Sequence, residues 1–522
     1  MPEAVEICKL RLFLKLAAQA RTFEQIEPLP DIDFNIRSGN TLVGYATLES
    51  LKKGQEGKLL FSGGELADIE RSAIGAARIF TQFKDLQILS SSDAQSPSQK
   101  PREPRGLSPR TGADLIAQTK TAMRQALAKL ADRLDRYLAG EYSIDAQNKP
   151  TEFEKWKSTH QPFHWLTEFY GVMRHGGFDV VIGNPPYVEY RSSTDGYRIQ
   201  NSAYSTASAG NLYAFCAERS SALLNSDGAF GMIVPSSAVG LDETLCLREH
   251  LVGRYGKLWY STYSIRPAKL FEGVDQRLCI VLAQADGGEK QLFATRYHHW
   301  NAEERSSLLN LLRYGESFSH PRLARIAQVG ERVPSRVIKK IEEKSAEDAQ
   351  SYYASGTRGF LAHYHRSPRY WIRAMDFEQH FKSATRSRSV HHFRDLLFQN
   401  EPDGKSVCAA INSSLFFLWF VSICNGRNLT SVDVAKFPVG PLGGATSGKL
   451  AAAFDELMGD YSRNWCIRKR EECEYQEFQP GLSKPIIDKI DRELAKHYGF
   501  TPEELDFIIN YDIKYRMGAE ED

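Results

Sequence analysis

Asn184, Pro185, Pro186 and Tyr187 stand together directly after an apolar run, Phe178-Asp179-Val180-Val181-Ile182-Gly183. Proline fixes φ and carries no amide donor, so the carbonyls of such a turn are acceptors with no competing N–H nearby. An exocyclic amino group presents two N–H donors. The Asn184 side-chain oxygen and the Pro185 carbonyl can accept both and draw the nitrogen towards a tetrahedral, lone-pair-bearing geometry. Tyr187 adds a flat face for stacking a ring, as is needed where a base has been taken out of the duplex. The four residues suit one task, holding a planar nitrogen nucleophile beside a methyl donor. Positioning would do the work, and no covalent intermediate or catalytic cysteine is needed.

The elements around the tetrapeptide must hold it still. Phe178, Val180, Val181 and Ile182 form a nearly continuous apolar run, the pattern of a buried parallel strand. Gly183 ends it and permits close approach of a ligand, and the carboxyl end of a strand in an open α/β sheet is where ligands sit. The plain alternative is a strand-to-turn junction punctuated by Pro-Pro. Average composition would place this tetrapeptide by chance in roughly one of several hundred chains of this length. The strand that leads into it is the context a motif of this kind requires.

On these residues the chain resembles the amino-methylating, S-adenosylmethionine-dependent methyltransferases, specifically the large adenine-N6 DNA methylases of type IIG restriction–modification systems. Other stretches carry the resemblance too. Residues 2–12 are similar to the helix that follows the cofactor-ribose acidic residue, and Asp33 to Leu42 to the strand and loop beside the cofactor adenine. Pro162-Phe163-His164-Trp165 and Gly176-Gly177-Phe178-Asp179 resemble the lead-in to the catalytic loop. Asn211-Leu212-Tyr213, Ile233-Val234-Pro235-Ser236 and Leu270-Phe271-Glu272-Gly273-Val274 resemble later blocks, and residues 505–512 the usual ending. The resemblance implies S-adenosylmethionine as methyl donor, with Asn40 and Asp33 as its candidate contacts, and double-stranded DNA as partner. It implies Phe271 in the target-base pocket, with core packing at the start of a strand as that ring's alternative.

Composition adds little. Lys and Arg number 66 against 65 acidic residues in 522, so DNA binding must rest on local patches. Candidates are Arg102, Arg105 and Arg110; Arg366 and Arg369 with Tyr370 and Trp371; and Arg386 and Arg388 before His391 and His392. A solvated face or loop is the alternative for each. The alternation of basic and aromatic residues favours Arg366, Arg369, Tyr370 and Trp371. The eight cysteines include no C-x-x-C pair and no zinc spacing, which suggests reduced thiols, no metal site and a cytoplasmic protein. No signal peptide or membrane-length apolar span is apparent; residues 415–424 are very apolar but short, and are expected to form a buried helix.

The expected fold is α/β: an incomplete doubly wound, Rossmann-like methyltransferase sheet with a helical insertion, then an α+β target-recognition domain and a helical C-terminal region. The methyltransferase part is assigned to residues 1–44 and 151–295, with strands at 228–235, 258–263 and 278–283 and a helix at 212–224. The insertion spans 45–150, helical at 114–139, with a Ser-, Pro- and Arg-rich linker at 91–113 expected to be mobile. Target recognition is assigned to 296–440 and the helical region to 446–522, where Pro485 and the Thr501-Pro502-Glu503-Glu504 capping sequence start helices.

A deficit accompanies this plan. A donor-binding fold of this class needs a first strand, a Gly-rich turn and a helix N-terminus, and no such unit is found. Ser62-Gly63-Gly64 lies inside the insertion, and Asp227-Gly228 precedes a strand. The chain is expected to begin just after the acidic residue would have appeared. The strand at 178–182 should therefore expose an edge, a hazard unless another chain covers it. A separate chain carrying the Gly-rich part is then an expected partner. Two further readings stay open: a non-catalytic or split-enzyme DNA-recognition subunit, and methylation of RNA or protein amide nitrogen.

Overall fold

The computed structural model describes residues 2–19, 36–53, 63–92, 109–190, 196–200, 203–285, 287–344, 346–383, 392–424, 426–470 and 473–517. Asp33, the linker residues 93–108 and Arg386, Arg388 and His391 lie outside them, as do the side chains of residues 109–113 with Arg110. The chain divides into two compact units, Met1–Phe230 and Gly231–Asp522.

Unit 1 is mainly helical: α1 (Pro2–Ala17), α2 (Leu48–Lys53), α3 (Gly63–Ser92), α4 (Pro109–Glu141), α5 (Pro150–His160), α6 (Trp165–Glu168), α7 (Tyr170–Arg174) and α8 (Leu212–Leu223). Its strands are β1 (Phe178–Gly183) and the first part of β2 (Leu224–Pro235). The insertion shares a core with the segments that flank it, in which Leu130, Leu134 and Leu138 of α4 meet Ile69 and Ala73 of α3 and Phe153 and Trp156 of α5. That spacing of three and four is a helix stripe turned inward. α4 starts at Pro109, five residues before the expected helix start, so the expected linker is helical from that point.

β1 forms where expected but is not buried. It is the end strand of a sheet ordered β1-β2-β4-β3-β5-β6, with the unit boundary inside β2. Phe178 and Val181 pack with Ala46, Met173 and Leu223, whereas Val180 and Ile182 are 57% and 78% exposed. The apolar run signalled a strand correctly. Its outer edge has no strand beside it among the described residues, and its packed side chains, Phe178 and Val181, lie three apart and so on opposite faces.

In unit 2 the sheet continues through β3 (Lys257–Tyr263), β4 (Leu278–Gln284), β5 (Gln291–His298) and β6 (Gly315–Glu316). β3 runs antiparallel to β4 and parallel to β5, and β5 antiparallel to β6, so the sheet is mixed. β5 runs through the boundary expected at 295. Helices α9 (Ser237–Gly240), α10 (Leu245–Arg254) and α11 (Arg332–Glu343) follow, with a small sheet of β7 (Phe360–His365), β8 (Ala374–Met375) and β10 (Phe393–Phe398). α12 (Glu401–Asn412), α13 (Ser414–Ile423), α14 (Ser431–Ala435), α15 (Gly444–Tyr461), α16 (Lys484–Tyr498), α17 (Pro502–Asn510) and α18 (Ile513–Arg516) build the main core. All ten residues of α13 are buried, as its composition predicted. The C-terminal region is not wholly helical: β11 (Trp465–Arg470) and β12 (Cys473–Phe478) form a hairpin joined by β9 (Phe381–Ser383). No single helix among the described residues is long and apolar enough to cross a membrane; α12 with α13 passes only as a pair bent by 65°.

Candidate active site

The Asn184–Tyr187 loop leaves β1 with Asn184 and Pro186 exposed, Pro185 buried and Tyr187 half-buried. Glycine makes the approach to β1 possible. Gly177 has φ +114°, and a side chain there would collide with the Leu223 carbonyl. The aromatic rings of Trp165, Phe169 and Phe178 back the strand, with centroids 5.2–5.9 Å apart. The Tyr187 hydroxyl donates to Asn184 Oδ1 at 2.5 Å, and burial pushes its phenol up to about 12. At neutral pH the phenol keeps its proton and donates it to the Asn184 amide oxygen. A carbonyl oxygen has two lone pairs, so one acceptor site on Oδ1 remains for an amino group.

The loop leads into a short paired stretch. Leu212 N donates to the Val188 carbonyl at 3.0 Å and Tyr190 N to the Gly210 carbonyl at 2.9 Å, which roots α8 on the residues that follow the loop. The end of the 33–42 stretch singled out from the sequence, with residues 43–45 after it, meets the 162–165 stretch in this unit. Asn40 bridges to Pro162, Phe163 N donates to the Val43 carbonyl at 2.7 Å, and Trp165 Nε1 donates to Thr41 Oγ1 at 3.1 Å. Gly44 (φ +135°) lies so close to the Phe163 backbone that no side chain would fit. Asn40 Oδ1 accepts the Leu42 N–H at 3.1 Å, an Asx turn that uses its carbonyl and leaves its amide donors.

Further residues hold this turn, and of them only His164 lay in a stretch singled out from the sequence for its resemblance. His164 Nδ1 accepts the Tyr45 N–H at 3.1 Å, so its Nε2 carries the proton donated to buried Asp135 on α4, also at 3.1 Å. Lys157 reaches the other Asp135 oxygen at 2.7 Å, and Tyr45 donates to Glu141 at 2.9 Å. The insertion thus fastens the 40–45 turn from one side. Pairings between positions 119 residues apart leave no local pattern to read.

The remaining candidates belong to unit 2. Phe271 is half-exposed in the turn between β3 and β4, not in the core. Arg305, stacked 5.1 Å from the buried Trp300 ring, holds that turn by donating to the carbonyls of Lys269 and Leu270 at 2.8 and 3.1 Å. Arg369 is exposed and Arg366 half-buried. Tyr370 and Trp371 turn their rings inward. Tyr370 lies 5.4 Å from His299, and Trp371 donates to the Arg516 carbonyl at 3.2 Å beneath the Arg516 guanidinium, 4.0 Å from its ring. Among the described residues no His, Cys, Asp and Glu group is arranged to hold a metal ion.

A loop offering aimed acceptors and a stacking ring at the end of a strand can grip an amino-bearing ring. Residues 1–252 match the Eco57I restriction-modification methylase family. The family resemblance read from the sequence is borne out. A putative type II restriction enzyme and methyltransferase of Methanocaldococcus jannaschii is 27% identical over 302 residues, covering 53% of this chain. The chain spans about a quarter of that relative's length (25%). Among solved structures, the type IIL restriction-modification enzyme MmeI in complex with DNA is 11% identical over 74% of this chain and 63% of its own, with a TM-score of 0.36. The type IIG restriction endonuclease BpuSI is 11% identical over 90% of this chain and 77% of its own, with a TM-score of 0.24. Superpositions with TM-scores this low establish neither fold nor function.

Proposed function

We propose that this chain carries the acceptor half of an adenine-N6 DNA methyltransferase of a restriction–modification or phage-defence system. The observation that carries the reading is the Asn184–Tyr187 loop, exposed at the end of β1 with its amide oriented by the Tyr187 hydroxyl. An adenine flipped from the duplex stacks on Tyr187, and Asn184 Oδ1 and the Pro185 carbonyl accept its two N6 hydrogens. The lone pair on N6 is thereby aimed for direct in-line transfer, and the positive charge developing on nitrogen is met by two fixed dipoles. S-adenosylmethionine supplies the methyl group, with Asn40 as a candidate contact. Asp33, Phe271 and the Arg366–Trp371 stretch keep their proposed roles in donor, base and DNA binding, with Arg366 and Arg369 the better placed for phosphates.

The described residues contain no Gly-rich donor cradle, while β1 offers an unpaired edge with Val180 and Ile182 bare. An α/β segment bearing a Gly-rich turn, on this polypeptide or on a separate chain, is the partner that edge fits, because its strand would pair the free backbone edge and its helix could cover Val180 and Ile182, which share one face. Asn184→Ala tests the reading. In the enzyme supplied with that segment, methyl transfer to DNA is expected to fall about a thousandfold, by the loss of an oriented dipole, with DNA affinity unchanged. Equal loss of both would make the loop structural and sink the reading.

A further inference from the structure

α8 is bonded both to the residues that follow the acceptor loop and to the 40–46 turn. Leu212 at its start donates to Val188, and Gly210 just before it accepts from Tyr190, both just past Tyr187. From there a row of rings runs along it: Tyr190 meets Phe215 edge to face at 5.6 Å, and Phe215 meets Tyr204 edge to face at 5.1 Å. Phe215 is fully buried and Tyr204 nearly so, which leaves little freedom in either ring. The Tyr204 hydroxyl donates to the Leu42 carbonyl at 2.9 Å and accepts from Arg219 Nε at 3.1 Å and Nη2 at 2.6 Å. Arg219 Nη2 also donates to the Gly44 carbonyl at 2.9 Å. Arg219 is 9% exposed, and its three bonds all end on neutral oxygens. Neighbouring Glu218 accepts from Ser205 N, Thr206 N and Thr206 Oγ1, fixing the backbone on which Tyr204 sits.

A nearly buried guanidinium bound only to neutral oxygens is an expensive way to hold a turn, since desolvation of the charge is not offset by a carboxylate. What it provides is geometry. A planar fork reaches the Tyr204 hydroxyl and the Gly44 carbonyl at once, so the carbonyls of 42 and 44 are fixed to one rigid helix. That helix starts on the residues that leave the acceptor loop.

We propose that Arg219 and Tyr204 are positioning residues that hold the 40–46 turn in register with the Asn184–Tyr187 loop. They act on methyl transfer only through those two segments. The proposal rests on the reading above, in which the turn faces the donor and the loop faces the base. Breaking the link leaves the loop able to grip the base but lets the donor-side turn shift.

Tyr204→Phe, which removes one oxygen and keeps the ring row, is the main test, and Arg219→Lys, which keeps the charge without the fork, is the second. Steady-state methyl transfer is measured against both substrates, with hydrogen–deuterium exchange on the full chain. For each variant KM for S-adenosylmethionine should rise about tenfold, the worth of one hydrogen bond, with kcat and the KM for DNA within about twofold of wild type. Exchange should quicken at amides 42–46 and stay unchanged in β1. Unchanged KM for S-adenosylmethionine, or parallel loss of all parameters with faster exchange throughout unit 1, overturns the proposal. If wild type supplied with the donor-binding segment transfers no methyl group, the functional reading fails separately, and unchanged exchange at 42–46 would still remove the link.

Discussion

Two apolar regions of this molecule have similar residues and opposite fates. α13, Ser-Leu-Phe-Phe-Leu-Trp-Phe-Val-Ser-Ile, is buried along its entire length and sits at the centre of the largest core. In unit 1, α1 leaves Ile7, Leu10, Leu12, Phe13 and Leu14 exposed, and β1 leaves Val180 and Ile182 exposed. Composition alone cannot separate the two cases, because hydrophobicity states what a segment would gain from burial and not whether a neighbour is there. α13 is surrounded by helices from its own unit. The β1 part of the exposed set leads directly into the proposed active loop, where burial remains available to a further element of the fold.

The largest test of the contrast is Trp419→Ala in α13. Trp419 is fully buried, stacked 5.8 Å from Phe416 and edge to face 5.4 Å from Phe437. Its truncation should cost about 3–5 kcal/mol, because the surrounding helices cannot close the cavity. Urea unfolding followed by circular dichroism reads this directly. A loss under about 1 kcal/mol would mean that the site collapses freely, and the core would be less tightly built than its burial implies.

A smaller effect tests how dry that region is. Asp491 on α16 accepts the Leu415 N–H at 3.1 Å at the start of α13, and burial raises its carboxyl to about 6. The unfolded carboxyl titrates near 4, so between about pH 4 and 6 the folded chain holds a proton that the unfolded chain has lost. Stability should therefore fall as pH rises through that window and stay lower above it, by an amount on the order of 3 kcal/mol from this group. Asp491→Asn should remove that slope. If urea midpoints of wild type and variant change in parallel between pH 4 and 7, the group is better solvated than its position indicates.

Much of the sheet was legible in the sequence. The runs at 178–182, 258–263 and 278–283 became β1, β3 and β4 with ends displaced by a residue, because short β-rich runs bounded by turn residues have few alternatives. The hairpin at 465–478 was missed. Its charged stretch reads as helix, and β12 pairs with β9 through Glu474 and Lys382, too far apart in sequence for local pattern to register. The acceptor loop was legible because its chemistry is local, four consecutive residues. The Arg219–Gly44 bond spans 175 positions, and Arg219 looks like any helix-surface arginine until the fold is known.

The least costly substitution sharpens the comparison most. Ile182→Thr keeps strand propensity while removing apolar surface from a side chain that is 78% exposed. Stability should stay within about 0.5 kcal/mol of wild type, as for surface positions with no packed neighbour. Self-association should fall, because an unpaired apolar strand edge is what other chains add to. Sedimentation velocity over a range of protein concentration separates the two effects. A destabilisation above about 1.5 kcal/mol with unchanged association would show Ile182 packed against something in the folded chain, and the contrast with α13 would disappear. If association falls at unchanged stability, the bare Ile182 side chain is a surface that other chains cover, and a further element of the fold belongs against it beside Asn184.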